Sequence, residues 1–582
     1  METKRRIPYG VINWARLVGE CLFVDNTSYI RKLEEVDTPV FLRPKRFGKS
    51  IVCSMLAHYY DVNLKDRFDE LFGSTDIGRN PTPLRNSFLV LPFDFSTIQV
   101  GTLAEIERNF WSNVQGAVGS FAVKYRNLAD WSKVKSATGP ANCIDKVREV
   151  IRENNLPPLY VIIDEYDNFT NTILAESGLN AYNDLCHGDG FFKDFFARLK
   201  AATTGTEAPV TRLFITGVSP VTMDDVTSGF NIGTNISLMP QYADFTGFRH
   251  DDLRAISDYY AEQCGFDADM LYETALTWYD NYRFGSADAP ALANTTIVLS
   301  FFSYVWRTRR FPNKLIDENL RTDYAKIRHL VTMDRRLNGN FHVLENLLSG
   351  GSLTEQLVES FQARELTKKE NFTSLLYWLG ITTITGGSFG KAVFGLPNET
   401  LKELAAKMIP DAYSDIYKID GRIFDVNKEL VAFAEKGEWR GFVDILSSIV
   451  KENFAVRDTV EGEKVVQSTL VALLTAAGGP YLVRHEREAG GGFYDIALKP
   501  QLDRWPEIAH SALIEMKYVK KGDPKPTPEQ LAAIKSDAIA QLDKYSGDST
   551  LHSTLYTLHS SVSLHRLVLV FHGGECLLSE EV

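Results

Sequence analysis

The stretch Phe41-Leu42-Arg43-Pro44-Lys45-Arg46-Phe47-Gly48-Lys49-Ser50 decides the fold of the first half of the chain. It predicts a buried strand that ends before Arg43 and an apolar helix that starts at the end of the stretch. The Walker A pattern for phosphate binding is Gly, four residues and then Gly-Lys-Ser/Thr. Its second part is intact here, whereas Arg43 stands at the first glycine position. Gly48 permits close approach, Lys49 can reach outer phosphates and the Ser50 hydroxyl can ligate Mg²⁺. The neighbouring cations favour an anionic ligand, and Arg46 and Phe47 complete the candidate nucleotide contacts.

A second apolar run, Leu159-Tyr160-Val161-Ile162-Ile163, ends in two adjacent carboxylates. Asp164 suits a magnesium ligand, and Glu165 suits a group that polarises the attacking water. Taken alone, each motif has an ordinary alternative, either a helix start or a solvated strand end. Together they stand at the carboxyl ends of predicted strands, where α/β sheets bind ligands, and they predict an ATP and Mg²⁺ site. Thr216 ends another apolar run and is a candidate sensor of the terminal phosphate, with a turn residue as the alternative.

Composition and charge limit the class of protein. A chain of 582 residues is too long for one core, so several domains are expected. Its six cysteines contain no CxxC pair, which argues against a zinc site or a disulfide framework. The sequence has no signal peptide and no apolar run long enough to span a bilayer, so we expect a cytoplasmic protein without a membrane. The net charge of −12 lacks the basic footprint usual for nucleic-acid binders.

The order of predicted elements divides the chain into three domains. Residues 1–285 alternate strand and helix, which predicts a doubly wound parallel sheet of the P-loop NTPase kind. Residues 286–454 read as mostly helical. They include a helix at 372–380, a hairpin at 381–394 and a further helix with Asn398 as N-cap, which together suggest a winged-helix-like lid. Residues 455–582 begin with a helix and continue with four strands, which predicts a separate α/β domain.

The loop Arg43–Ser50 closely resembles that of the bacterial AAA-ATPase-like proteins that carry a C-terminal PD-(D/E)XK nuclease-like domain. Further stretches resemble the same family, namely 7–10, 23–27, 215–220, 228–232 and 278–284. The resemblance implies ATP binding and makes the missing first glycine a family trait. It also suggests Arg283 as a sensor arginine, although a surface arginine is the simpler reading. Asn281 replaces a family glycine, which asparagine can do because it tolerates positive φ. Asn26 replaces a family lysine.

The C-terminal part contains Tyr494-Asp495 and, on the next predicted strand, Glu515-Met516-Lys517, which resemble the D…ExK core of the PD-(D/E)XK superfamily. The resemblance implies an α/β restriction-endonuclease-like domain over residues 455–582. Glu515 and Lys517 are two residues apart on a strand and therefore share one face. Asp495 can join Glu515 in holding Mg²⁺, and Lys517 can position or deprotonate the attacking water. Further candidates are the possible metal ligands Glu463 and Glu486, and Gln541, which matches a helix position near the family's site. Phe493 replaces a family arginine, and an exposed ion pair remains the alternative for Glu515 and Lys517.

These features predict an ATPase coupled to a metal-dependent nuclease, with ATP and Mg²⁺ as cofactors and DNA or RNA as substrate. The alternative is a nucleotide-dependent regulatory switch whose nuclease-like tail is a non-catalytic interaction platform. The acidic tail favours that alternative, and the Asp495, Glu515 and Lys517 set favours the enzyme. A homo-oligomer is compatible with the sequence, which leaves open the kind of nucleic acid, endo- or exonuclease action and the pathway.

Overall fold

A computed structural model describes residues 5–176, 178–186, 190–204, 208–222, 232–312, 314–316, 343, 347, 352–366, 368–405, 420–455, 462–489, 492–502, 504–546 and 562–582. Internal contacts divide the chain into two compact units. The first comprises residues 1–310 and 354–397, and the second comprises 311–353 and 398–582. The hairpin region therefore belongs with the P-loop part, and residues 420–455 belong with the C-terminal sheet. The division into three domains stays a prediction.

The first unit is built on a five-stranded sheet in the order β2-β3-β4-β1-β5. Every pairing in it is parallel. Parallel sheets are covered on both faces, which explains the continuous apolar runs in the sequence. The strands are β1 Pro39–Leu42, β2 Leu89–Asp94, β3 Leu159–Asp164, β4 Val210–Gly217 and β5 Thr234–Asn235. The doubly wound α/β prediction is confirmed, and β4 lies between the strands that carry the two nucleotide motifs.

Helices connect these strands and cover the sheet. The longest, Leu103–Lys124, starts with a capping box in which Thr102 and Glu105 exchange hydrogen bonds. The P-loop helix packs on a core rich in aromatic residues that it shares with the first helices and the sheet. The helices are α1 Trp14–Glu20, α2 Tyr29–Leu33, α3 Lys49–Tyr60, α4 Phe68–Phe72, α5 Asp76–Arg79, α6 Leu103–Lys124, α7 Pro140–Glu153, α8 Asn168–Glu176, α9 Gly178–Cys186, α10 Phe191–Thr203, α11 His250–Cys264, α12 Ala268–Tyr279 and α13 Thr295–Thr308.

A small three-stranded sheet with the order β6-β8-β7 follows in the chain. Its elements are β6 Leu353–Glu355, α14 Lys369–Trp378, β7 Thr383–Ser388 and β8 Lys391–Gly395. The predicted helix and hairpin are thus confirmed, while β6 was not foreseen. Asn398 caps the helical segment that starts at 399, because its Oδ1 accepts the Leu401 N–H at 3.2 Å.

The second unit contains a mixed sheet in the order β13-β12-β11-β10-β9. Only the β11–β12 pairing is parallel. One face packs on a helix through a core that includes Leu513, Leu542 and Val568. The elements are α15 Asp420–Lys436, α16 Arg440–Ala455, α17 Glu463–Ala477, β9 Tyr481–Ala489, β10 Gly492–Pro500, β11 His510–Val519, α18 Pro528–Ser546, β12 Ser563–His572 and β13 Glu575–Glu581.

The predicted first helix and four strands of this part are confirmed, and the predicted α/β class of the C-terminal region holds. The edge strand β13 was missed, because its short Cys-Leu-Leu core carries only a weak strand signal. The six cysteines are free thiols. Within the described ranges, no helix is long and apolar enough to cross a membrane.

Candidate nucleotide-binding and nuclease-like sites

The P-loop lies between β1 and α3. Gly48 precedes the helix with φ 84°, a left-handed conformation that a side chain would strain, and so exposes the helix N-terminus. Lys49 is almost fully buried, and its Nζ donates to the Pro44 carbonyl at 3.2 Å. The same Nζ lies 3.3 Å from Oε1 of Glu165. Phosphate groups that bind at this helix N-terminus can replace the Glu165 carboxylate as the partner of the lysine.

Asp164 ends β3 and is buried beside the P-loop helix. The Ser50 hydroxyl hydrogen-bonds its carboxylate. Burial raises the pKa of Asp164 to about 6, and the Ser50 hydrogen bond opposes that rise. Its Oδ1 has no hydrogen-bond partner among the residues that the structure describes. A buried carboxylate oxygen without a donor, next to a hydroxyl, fits the oxygen ligands that Mg²⁺ prefers.

The second site lies on β10, β11 and α18 of the C-terminal unit. The β10–β11 pairing includes Ile496 and Ile514, and Asp495 lies next to Ile496 on β10. Its Oδ2 accepts the Met516 N–H at 2.7 Å. Glu515 is buried, and its Oε2 has no partner within the described ranges. Burial raises the pKa of Glu515 to about 8, and the charge of Asp495 adds to the rise. The two carboxylates are therefore close enough to repel each other, as expected where a divalent cation would be shared.

Lys517 lies beside these carboxylates and has three acceptors. Its Nζ donates to Gln541 Oε1 at 2.6 Å and lies 3.2 Å from Glu515 Oε1 and 3.1 Å from Asp537 Oδ2. Burial opposes its charge, but Asp537 and Glu515 outweigh that and raise the pKa of Lys517. The lysine is thus a fixed cation in a half-buried pocket. This environment differs from the exposed ion pair of the alternative interpretation.

Comparison with known families agrees with both regions. Residues 8–227 match the family described as predicted AAA-ATPase. Residues 461–581 match the PD-(D/E)XK nuclease superfamily. The chain joins an AAA-ATPase-like region to a PD-(D/E)XK nuclease-like region. No curated protein matches the sequence.

Arg43 of the AAA-ATPase-like region is structural. It is fully buried, and its guanidinium donates to the carbonyls of Leu42, Ser237, Tyr242 and Ala243 at 2.7 to 3.2 Å. The group also stacks on an aromatic ring at each side. Burial lowers the pKa of Arg43 to about 10. The Arg43 guanidinium therefore binds backbone carbonyls around β1. This differs from the expectation that the cations of the loop favour an anionic ligand.

Arg46 and Phe47 position the loop. Arg46 has φ 72°, and its carbonyl accepts from Thr295 Oγ1 at 2.8 Å and from the Thr296 N–H at 3.1 Å. Phe47 is completely buried, and its ring packs edge-on against Tyr282 at 5.0 Å. The Phe47 ring is thus an anchor. Residues 8–12 and 46–52, which include Phe47, line a cavity of about 640 Å³ beside the P-loop.

Thr216 lies near the end of β4, and its role as a sensor of the terminal phosphate stays a prediction. It is buried in the sheet, and its hydroxyl donates to the Phe41 carbonyl at 2.8 Å. The β1–β4 register pairs Thr216 with Phe41, so the Thr216 hydroxyl bonds the backbone of the neighbouring strand.

Sequence reasoning missed Asp167. Its buried carboxylate accepts the N–H groups of Val218 and Ser219 and so connects the ends of β3 and β4. Its position three residues after Asp164 was the available signal.

Other resemblance-based expectations have mixed outcomes. Asn281 has φ 75°, which confirms that it occupies a glycine-like conformation. Arg283 has its backbone N–H bonded to Thr383 Oγ1 at 2.8 Å, and its side chain reaches Asn281. Asn26 donates to the Phe245 carbonyl at 3.2 Å. Residues 228–231 lie outside the described ranges.

The helix before the nuclease-like sheet contributes a different residue from the one expected. Glu463 is exposed in the first turn of α17. One turn later Gln467 is buried, and its Nε2 donates to Asp495 Oδ1 at 3.1 Å. The side chains of Glu486 and Phe493 lie outside the described part. Helical spacing could have suggested Gln467, because it is four residues after Glu463 on the same face.

No group of three or more His, Cys, Asp or Glu side chains in the described segments is arranged to hold a metal ion. Asp495 and Glu515 form a pair. Two carboxylates suffice for Mg²⁺, which keeps several waters and usually takes only one or two protein carboxylates together with phosphate oxygens. The residues present therefore fit magnesium better than zinc, which needs three or four protein ligands.

Proposed function

We propose that the chain binds and hydrolyses ATP and that it cleaves nucleic-acid phosphodiester bonds with Mg²⁺ at its nuclease-like site. The observation that supports the proposal is that the two sites contain the same kinds of chemical group. Each has a buried carboxylate oxygen without a donor among the described residues, a neighbouring lysine and a second carboxylate. Phosphoryl chemistry depends on positioning and on charge neutralisation, which such groups supply.

In the AAA-ATPase-like region, we assign phosphate binding to Lys49 and to the N–H groups after Gly48. Ser50 and Asp164 would hold the cation of Mg·ATP. Glu165 is paired with Lys49. Phosphates that draw Lys49 away would free that carboxylate to orient water for attack. The adjoining cavity of about 640 Å³ is within the usual size of small-molecule sites and would take the rest of the nucleotide.

In the nuclease-like region, we assign the cation to Asp495 and Glu515. Mg²⁺ at such a site supplies a lowered water pKa and stabilises charge on the phosphate. Gln467 and the Met516 N–H fix the orientation of Asp495. Lys517, held by Gln541 and Asp537, would position the attacking water or the scissile phosphate.

The decisive experiment incubates the full chain with Mg²⁺ and single-stranded and duplex DNA and RNA, with and without ATP. Cleavage should disappear in Glu515→Gln and persist in Glu463→Gln, a matched control because Glu463 is exposed at the start of α17. Calorimetric titration with Mn²⁺ adds a readout that needs no substrate. Wild type should bind the ion and Asp495→Ala should not. In the cleavage assay, the losses of activity caused by Asp495→Ala and Glu515→Gln should not add when the two changes are combined.

The second candidate function is a nucleotide-dependent switch with a non-catalytic tail. The net negative charge of the chain favours it, since a polyanionic substrate gains no general attraction. Equal Mn²⁺ binding by wild type and Asp495→Ala, or none by either, would favour the switch over the nuclease.

A further inference from the structure

The hairpin β7–β8 ends in an unusual turn. Ser388 pairs with Lys391, so Phe389 and Gly390 form a two-residue loop. Both loop residues have positive φ, 48° for Phe389 and 76° for Gly390. That is the pattern of a type I′ turn, whose first position is usually Asn, Asp or Gly. A bulky aromatic residue at positive φ is an outlier, and such outliers cluster at functional sites.

The Phe389 side chain is not buried by the rest of the fold. It is the most exposed large apolar residue described, with a relative exposure of 104%. A phenylalanine at this position therefore combines a disfavoured backbone conformation with a fully hydrated ring. Folding alone favours Asn at the same place, so the ring points to an interaction outside the chain.

The surroundings of the ring define a narrow finger. Gly386, Gly387 and Gly390 have no side chains, so a single ring projects from a thin strand pair. Lys391 is exposed beside it and has no ion pair within the described ranges. Between residues 371 and 398 the sequence contains no Asp or Glu, although the chain has 75 of them. On the third strand of this sheet, Glu355 is paired with Lys369 at 2.7 Å.

We propose that this hairpin tip is a nucleic-acid contact, in which the Phe389 ring stacks on an unpaired base and Lys391 faces the adjacent phosphate. Stacking on an aromatic side chain is how proteins hold single strands without reading sequence. The choice of nucleic acid rests on the proposed nuclease function. A lipid surface or a protein partner would need a broader apolar patch than one ring among glycines.

The test measures binding in the full chain made inactive by Glu515→Gln, with EDTA present. A fluorescein-labelled thymidine oligonucleotide of roughly 20 nucleotides, longer than one binding site, is titrated by anisotropy, and a blunt duplex of equal length serves for comparison. Phe389→Ala should weaken binding of the single strand by about 5- to 150-fold, the range for one stacked base. The control is Phe424→Ala, because Phe424 is another exposed phenylalanine, 74% exposed, on α15.

Phe389→Asn separates a contact from a folding role. Asn suits the turn better than Phe, so this variant should unfold at an equal or higher temperature and yet bind as poorly as Phe389→Ala. If the parent binds the strand and both Phe389 variants bind it equally well, the tip contact is wrong and the nuclease proposal stands. A parent that binds neither the single strand nor the duplex overturns the tip contact, and the cleavage assay with Mg²⁺ then decides the nuclease proposal separately. Phe389-dependent capture by anionic vesicles or by a second copy of the chain, without strand binding, also overturns the contact.

Discussion

At the scale of single residues, Arg43 shows how a motif position can change its role. The Walker A pattern has glycine there, but the buried guanidinium bonds four backbone carbonyls around the end of β1. Arginine suits this role because its donors form a rigid, planar fork. In the proposed nucleotide site, Gly48 would be the glycine that permits close approach to phosphate. The altered motif is therefore consistent with a working P-loop.

Arg43→Ala should lower the free energy of unfolding by about 3 kcal/mol or more, since buried carbonyls lose their donors. Denaturant unfolding of the full chain measures the loss. Arg67→Ala is the control, because Arg67 pairs with Glu70 on the exposed surface, where such a pair changes the free energy of unfolding little. Normal stability together with lost ATP affinity would place Arg43 at the phosphates instead.

Lys49 and Glu165 should differ in their effects on ATP. Lys49→Ala removes the cation at the phosphates and should weaken ATP binding and abolish hydrolysis. Glu165→Gln keeps Asp164 and Ser50 for the cation but loses the carboxylate that orients water, so ATP should bind and turn over at least 100-fold more slowly. Nucleotide binding by calorimetry and phosphate release would report the two effects. Wild-type hydrolysis in both variants contradicts the site.

At the scale of elements, a hydrogen-bond chain joins three strands to the connection between α15 and α16. His510 Nδ1 lies 2.8 Å from His565 Nε2, and His565 Nδ1 lies 2.7 Å from Glu581 Oε1. Trp439 Nε1 donates to the other oxygen of Glu581 at 2.8 Å. The rings also pack against Phe433 on α15. These contacts hold α15 and α16 on the nuclease-like sheet.

The histidine pair should make the C-terminal unit sensitive to acid. Burial lowers the pKa of His510, and the neighbouring His565 lowers it further, while Glu581 opposes both. The folded pKa is thus below the unfolded one, so this contribution to stability is full above about pH 6.5 and is lost as pH falls through the folded pKa. Unfolding of the full chain followed from pH 7.5 to 5 should show this loss, and His510→Asn should reduce it. His572→Asn, at a half-buried histidine of β12 outside this hydrogen-bond chain, serves as the comparison.

At the scale of the whole molecule, the chain passes between its two compact units at residues 310, 353 and 397. Dividing the chain near residue 450 to test the two halves separately would therefore separate α15 and most of α16 from the sheet on which they pack. Point variants in the intact chain are the better means of asking whether the ATP and nuclease sites influence each other.

If the sites are coupled, nucleic acid should change the ATPase rate or ATP should change the cleavage rate. Lys49→Ala should then cleave at the wild-type rate without ATP and no longer respond to ATP. Glu515→Gln should keep its ATPase rate without nucleic acid. Rates measured for each activity, with and without the other ligand, give the coupling. Wild-type rates that are mutually independent would reduce the chain to a simple fusion.

The sequence by itself determined most of the elements and the local motifs. Runs of buried apolar residues located the longer strands of both large sheets, although β6 and the edge strand β13 were missed. Gly48-Lys49-Ser50, Asp164-Glu165 and Glu515-x-Lys517 lie at strand ends and on the shared face that their spacing predicts. These features depend on residues close together in the chain, where strand and helix periodicity set direction.

Only the tertiary structure decided which distant groups satisfy one another. It used the Thr216 hydroxyl inside the sheet, buried Arg43 among carbonyls and chose Gln467 over Glu463 as the partner of Asp495. It also joined His510 to His565 across two strands. Such pairs depend on sheet register and on how helices pack, because a buried polar group must find a partner wherever the fold brings one.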